Sequence, residues 1–328
     1  MYLECNLPIK ADTSDSYLSA LTHRCNFLRN LGWQGVALNI SIDSSNIGQQ
    51  NQIIQEVFPK IVKYVSDELE QHKIQHNSKI SFIAPFRKNS NATSSIYNQD
   101  GGKDFKIYTR LTYGSDLHKK IVNMNFEEDL YQNIDIIALD LSLGQHLSAD
   151  NMITYLSTIC SKSSIDLLSF KPPFDITLDT VIRKSKNKLK EAIRRNVCME
   201  FCYGDVVNSK EALSKFGISN WIQFLIALIR NFKTKQLIFS NGSSKMLSTA
   251  VMQDVNQLPF IRSPHDVANI VGLFGLSFVV GKSLITTNAL HALKHAEMRK
   301  AIRGVVKVTE LSLDSSKKRS FDQSMEDE

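Results

Sequence analysis

The chain has 328 residues, 42% of them hydrophobic, with 39 Lys and Arg against 33 Asp and Glu for a net charge of +6. That is enough apolar material for one large domain or two small ones, and a domain of this size buries roughly 75% of the surface of its unfolded chain. No run of about 18 apolar residues occurs, so no membrane-spanning helix is expected, and the opening MYLECNLPIK lacks the basic-then-apolar order of a secretory signal. The modest positive charge is compatible with an anionic partner without requiring one. Cys5, Cys25, Cys160, Cys198 and Cys202 are odd in number and follow no framework spacing, which reads as buried free thiols in a reducing compartment.

In chain order, MYLECNL (1–7) reads as a strand, 14–31 as a helix, GVALNISI (35–42) as a strand and 51–72 as a helix. KISFIAPF (79–86) is an eighth strand candidate, and the Asn-, Ser- and Gly-rich stretch at 87–104 reads as a long mobile loop. KIYTRLTYG (106–114) and DIIALDLS (135–142) follow as strands, then a helix at 149–161, the strand IDLLSF (165–170) and a helix at 180–195. VCMEFCYG (197–204) precedes a helix at 209–232, whose stripe of Trp221, Phe224, Leu225, Leu228, Ile229 and Phe232 predicts deep burial. QLIFSNG (236–242) is the last strand, ahead of helices at 264–275 and 280–302, and the apolar-poor end of the chain is expected to be disordered. KKR within that end is a weak nuclear-localisation signal.

Repeated strand-then-helix order argues for a parallel sheet. Seven or eight such units suit a closed (β/α) barrel as well as an open doubly wound sheet, and the near-continuous apolar runs fit strands covered on both faces.

The spacings that would carry catalysis fail one by one. Gly281-Lys282-Ser283 resembles the end of a phosphate loop, but the glycine needed five residues before the Gly-Lys pair is Leu276. His291 and His295, with Glu297 nearby, could share a helix face, as could His72 and His76, and Cys198 and Cys202 share a strand face; none of these pairs has an evident third ligand. Asp140 closes its run without a clustered His, since His146 lies six residues on, and no Ser-His-Asp or Cys-His arrangement emerges.

What remains is a set of cations. From Arg183 to Arg195 seven basic residues accompany one acid, Glu191, which reads first as a solvated helix face. Arg110 lies mid-strand, where a buried guanidinium needs a partner or an outlet to an anion. Arg299, Lys300 and Arg303 cluster at the end of the last helix, where they complement the dipole as readily as they would contact RNA. Arg262 differs. In IRSPHDVANIVGLFGLS (261–277), Ser263 suits an N-cap, Pro264 the first helical position, Asp266 the capping-box position and Gly275 the stop. A cation just ahead of that N-terminus opposes the dipole unless an anion sits between, an internal ion pair being the rival explanation. Lys282 is expected near the next helix start.

These residues carry a resemblance. IRSPHDVANIVGLFGLS, with Arg262, Pro264 and Asp266, and TTNALHALKHAEMRKAIRGVVKV (286–308), with Asn288 and the Arg299-Lys300 pair, resemble the thirty-kilodalton protein subunit of ribonuclease P and ribonuclease MRP, in a fungal form. KIYTRLTYG, IDLLSF, AIRRNVCMEFCYG and LIFSNGS add to it. The resemblance implies a TIM-like (β/α) barrel of seven or eight parallel strands over 1–308, related to the metal-dependent phosphoesterase (PHP) barrels, with 309–328 as a tail. It implies no metal centre, cofactor or catalysis in this chain, the Mg²⁺ belonging to the catalytic RNA. It further implies a non-catalytic, RNA-binding role in 5′ processing of precursor tRNA by ribonuclease P and in rRNA processing by ribonuclease MRP, in the nucleus and its nucleolus. The partners implied are both RNAs and RRM-like small α/β subunits, with precursor tRNA indirectly. Candidate RNA or interface residues are Arg262 first, then Arg110, Lys282, Arg299, Lys300 and Arg303, with 183–195 as a second tier. A metal-dependent phosphoesterase of the same barrel class and a purely protein-binding scaffold are the competing readings.

Overall fold

The computed structural model describes residues 1–75, 105–124, 126, 129–141, 149–160, 164–170, 182–204, 217–232, 234–243 and 261–301. The eighth strand candidate at 79–86, the loop at 87–104, Arg303 and the tail lie outside them.

Seven parallel strands form one sheet in sequential order: β1 (Leu3–Pro8), β2 (Gly35–Ile42), β3 (Lys106–Tyr113), β4 (Ile136–Asp140), β5 (Leu167–Phe170), β6 (Cys198–Cys202) and β7 (Leu237–Ser240). The sheet curls until β1 and β7 approach, giving a nearly closed TIM-like barrel. At the seam the Gly242 N–H donates to the Asn6 carbonyl (3.1 Å). Beside it the Glu4 carboxylate accepts from the Asn241 N–H (3.1 Å) and the Asn6 N–H (3.1 Å), supplying acceptors where the strands do not pair. The register shifts between Glu4 and Leu7 of β1, consistent with a bulge at this seam.

The longer described helices are α1 (Asp15–Asn30), α2 (Phe58–Gln75), α3 (His118–Asn123), α4 (Ala149–Ile159), α5 (Lys186–Arg194), α6 (Gly217–Phe232), α7 (Pro264–Gly272), α8 (Phe278–Leu284) and α9 (Thr287–Ala301). A π-helical turn at Ile53–Val57 leads into α2. Asn196, at φ 68°, takes the left-handed position after α5, a role short polar side chains tolerate, so that β6 can begin two residues later.

The period-2 alternation of the strands sorts two cores. Outward residues such as Val36, Leu38, Leu111, Ile137, Leu139, Leu168, Met199, Phe201 and Phe239 pack among the helices in a large apolar cluster. Inward residues near the strand starts, Leu3, Cys5, Ala37, Ile136, Ala138, Leu167, Cys198 and Ile238, form a second cluster with Ala289, Ala292 and Leu293 of α9. The last helix is therefore a plug across the N-terminal end of the barrel.

That placement corrects the single helix expected at 280–302. The chain breaks at Ile285, whose carbonyl accepts from Leu3 N–H (3.0 Å), and restarts with Thr286, whose carbonyl accepts from Leu290 N–H (3.0 Å). Buried Asn288 donates its amide to the carbonyls of Thr234 (2.6 Å) and Leu237 (2.7 Å), fixing the plug to the start of β7.

Candidate functional site

Above the apolar plug, the same inward positions turn polar. Asn6, Asn39, Arg110, Thr112, Ser169, Glu200 and Ser240 come from six strands, and each is at most 1% exposed. Arg110 binds Glu200 with both terminal nitrogens, Nη1 to Oε1 (2.5 Å) and Nη2 to Oε2 (2.6 Å). Its Nη1 also donates to the Cys5 carbonyl (2.8 Å) and its Nε to Thr112 Oγ1 (3.0 Å). Thr112 donates to Asn39 Oδ1 (2.8 Å), Asn39 Nδ2 to Asn6 Oδ1 (2.8 Å), and Asn6 Nδ2 to Glu200 Oε2 (3.4 Å), closing a circuit. Ser169 and Ser240 donate to the two Glu200 oxygens at 2.6 and 2.8 Å.

Burial alone would neutralise Glu200. The Arg110 guanidinium and the two serine hydroxyls outweigh it, so the carboxyl stays below its ordinary range and the pair stays ionised. Glu4 has no such partner: burial pushes it up to about 8, although the two backbone N–H groups pull the other way.

The inward positions hold a buried, hydrogen-bonded ion pair, amides and hydroxyls, and among the described residues no group of three or more His, Cys, Asp or Glu is arranged to hold a metal. This Arg–Glu pair, with 0% side-chain exposure, braces β3 against β6 across the barrel.

The arrangement reassigns several candidates. Arg110 is committed to Glu200 and cannot reach a phosphate at the surface. Arg299, 9% exposed, binds Asp166 (3.2 Å) and donates to the carbonyls of Ile134 (2.9 Å) and Tyr131 (3.4 Å). Lys300 pairs with Asp135 (2.7 Å). These two pin the plug to the loops entering β4 and β5, Arg299 from a buried position and Lys300 from a part-exposed one. His295 joins them through Asp166 (2.7 Å) and is buried, whereas His291 is exposed, so the two histidines do not form a ligand pair. Cys202 packs 3.6 Å from Asn6 Nδ2 and from the Ser169 and Ser240 hydroxyls. In the 183–195 run Leu189 and Ala192 are buried, while Lys188, Lys190 and Arg194 are exposed, a solvated face on which Lys188 pairs with Glu191 at 3.4 Å.

Arg262 and Lys282 stand apart. Ser263 caps α7, its Oγ accepting from Asp266 N–H (3.2 Å) and donating to Asp266 Oδ2 (2.8 Å), and Gly275 takes φ +78° past the helix end. The Arg262 carbonyl accepts from Trp33 Nε1 (2.9 Å), which fixes the backbone. Its guanidinium makes no ion pair among the described residues, and its buried Nε finds no acceptor there. Lys282 is exposed, with Nζ 5.6 Å above the Tyr2 ring.

The model of the family described as RNase P subunit p30 matches residues 1–301. The chain belongs to this family. Among curated p30 relatives, it is 24% identical over 220 residues to a ribonuclease P protein subunit of Dictyostelium discoideum, covering 65% of this chain and 50% of that one. It is 31% identical over 115 residues to ribonuclease P protein subunit p30 of Mus musculus, covering 35% and 37%. The matched region thus spans half or less of these relatives' lengths. A chain of archaeal ribonuclease P solved with mature tRNA superposes at TM-score 0.47 with 12% identity, covering 94% of this chain and 98% of that chain. A variant organophosphorus hydrolase from Deinococcus radiodurans gives TM-score 0.45 with 9% identity, covering 89% and 92%. Of the motif Arg262, Pro264 and Asp266, the last two gain a structural account as the first helical residue and the capping carboxylate of α7, whose cap is Ser263. What spacing alone did not reveal was Glu200 and Asp166, although each is an isolated acid in an otherwise buried run.

Proposed function

We propose that this p30-family chain is a non-catalytic protein subunit of ribonuclease P that binds the particle's RNA by its phosphate backbone. The observation that carries the reading is Arg262: a guanidinium at a capped helix N-terminus, its Nε without an acceptor among the described residues, on a helix pair that also presents exposed Lys282. Phosphates are the ligands that such donors suit, and RNA helices are recognised largely through backbone and shape. In this reading phosphodiester hydrolysis in precursor tRNA belongs to the RNA and its Mg²⁺, and the barrel supplies shape, charge neutralisation and a surface for RRM-like subunits. The same surface serves ribonuclease MRP in rRNA processing, and the chain works in the nucleus and nucleolus.

The test is RNA affinity of the full chain against salt. Neutralising a phosphate releases counterions, so Arg262→Ala and Lys282→Ala each flatten the slope of log K against log salt by about 0.7–0.9 for every phosphate left unneutralised. Unchanged affinity and slope in the doubly substituted protein, with its thermal midpoint retained, would remove this reading.

A further inference from the structure

Three rings that are distant in sequence meet at the surface of the α7–α8 pair. Gly281 lets the two helices approach until a Cβ there would stand 2.6 Å from the Ala268 carbonyl oxygen. That close crossing brings Phe278 against His265, with ring centroids 6.0 Å apart and planes within 3° of parallel. One turn along α8, Lys282 reaches the ring of Tyr2, and Tyr2 in turn lies 5.9 Å from His265. The result is a stepped aromatic surface with a cation at one side and Arg262 three residues ahead of His265.

This surface is left open. His265 and Lys282 are exposed, and Phe278 is 43% exposed, unusual for a phenylalanine that already stacks on a neighbour. The nearby carboxylate of Asp266, which would repel a phosphate, accepts from the Ser263 hydroxyl. Flat ring faces beside cations are the chemistry that holds single-stranded nucleic acid: bases stack on aromatics, and phosphates meet Lys and Arg.

We propose that Tyr2, His265 and Phe278, with Lys282, form a stacking site for an unpaired nucleobase of RNA. The inference rests on the RNA-binding reading above and adds to it a preference for single-stranded segments. Leu273 and Val279, 80% and 76% exposed, lie on the same helix pair, and an apolar protein partner is the rival occupant. The rings with their cations favour the base, because aliphatic packing alone has no use for Lys282 and Arg262.

Fluorescence anisotropy of a labelled oligouridylate with the full chain tests the site, with a blunt-ended RNA duplex as comparison. Phe278→Ala should weaken oligouridylate binding by about tenfold, at unchanged salt slope, and leave duplex binding alone. Phe278→Trp should restore it, and His265→Ala, a second exposed position, should weaken it in the same way. Thermal midpoints confirm that each variant is folded. If Phe278→Ala and His265→Ala bind oligouridylate as the unaltered chain does while Arg262→Ala weakens both RNAs, the stacking site is wrong and backbone binding stands. If neither RNA binds the unaltered chain, the RNA-binding reading itself falls. A photo-crosslinker at Val279 in the purified particle that captures protein and no RNA assigns the face to a protein partner and overturns the proposal.

Discussion

Replacing Glu200 by Gln keeps the volume and removes the charge. Arg110 would then be a fully buried cation whose Nη1 and Nη2 face an amide, and the hydroxyls of Ser169 and Ser240 would be deprived of a charged acceptor. Breaking a buried pair from one side costs about 3–5 kcal/mol, because the remaining charge is stranded in a low-dielectric interior. Unfolding entropy near 2.1 cal/mol/K per residue over roughly 300 residues makes about 0.6 kcal/mol/K, so the midpoint should fall by about 5–8 °C. Differential scanning calorimetry gives the midpoint, and RNA affinity is measured on the folded variant at low temperature. Affinity should be unchanged, since neither partner reaches the surface. A midpoint shift under about 1 °C would show that the pair contributes no net stability. Weaker RNA binding without a stability change would make Arg110 an RNA-contacting residue after all.

Glu4 makes stability fall as pH rises. Its folded-state pKa of about 8 exceeds the ordinary 4.5, so the folded chain binds the extra proton between those values, and the stabilisation present below 4.5 is lost as pH climbs through 8. Urea midpoints at pH 5 and pH 8 should differ by the equivalent of a few kcal/mol more in the unaltered chain than in Glu4→Gln, and equal pH dependence in the two would place the titration elsewhere. Gly281→Ala should destabilise the chain by roughly 1–3 kcal/mol, because the new methyl meets the Ala268 backbone; a thermal midpoint that does not move would mean the helix pair separates without cost.

The sequence alone places all seven strands to within a residue or two at most boundaries, because each is a short apolar run between turn signals and the barrel buries both faces. The cap of α7 was equally legible: Ser263, Pro264 and Asp266 interact within four residues. Interactions that span the chain were not. Arg299 looks like a surface cation at a helix end until Asp166, 133 residues earlier, is brought beneath it. The break between α8 and α9 is set by bonds to Leu3, Thr234 and Leu237, none of which a helical pattern registers. The polar layer did leave a trace, since Asn6, Asn39, Arg110, Ser169, Glu200 and Ser240 each interrupt an apolar run on alternation with outward residues. Arg110 stood out as a buried cation in need of a partner, but nothing in the spacing named Glu200, 90 residues on, as that partner. The aromatic surface left no trace, because Tyr2 and Phe278 lie 276 positions apart in the sequence.

The plug also imposes an order of events on the newly made polypeptide. Synthesis delivers β1 through β7 before α9, so every strand of the barrel exists before Ala289, Ala292 and Leu293 are available to cover its inner apolar end. The seam bond between Asn6 and Gly242 has the same character, as does the bond from Leu3 to Ile285 ahead of the plug. Pairings between such remote positions form slowly, since the loop must close before the pairing repays it. The inner apolar end of the barrel, lined by Leu, Ile and Ala, therefore has no cover until Ala289, Ala292 and Leu293 have been made.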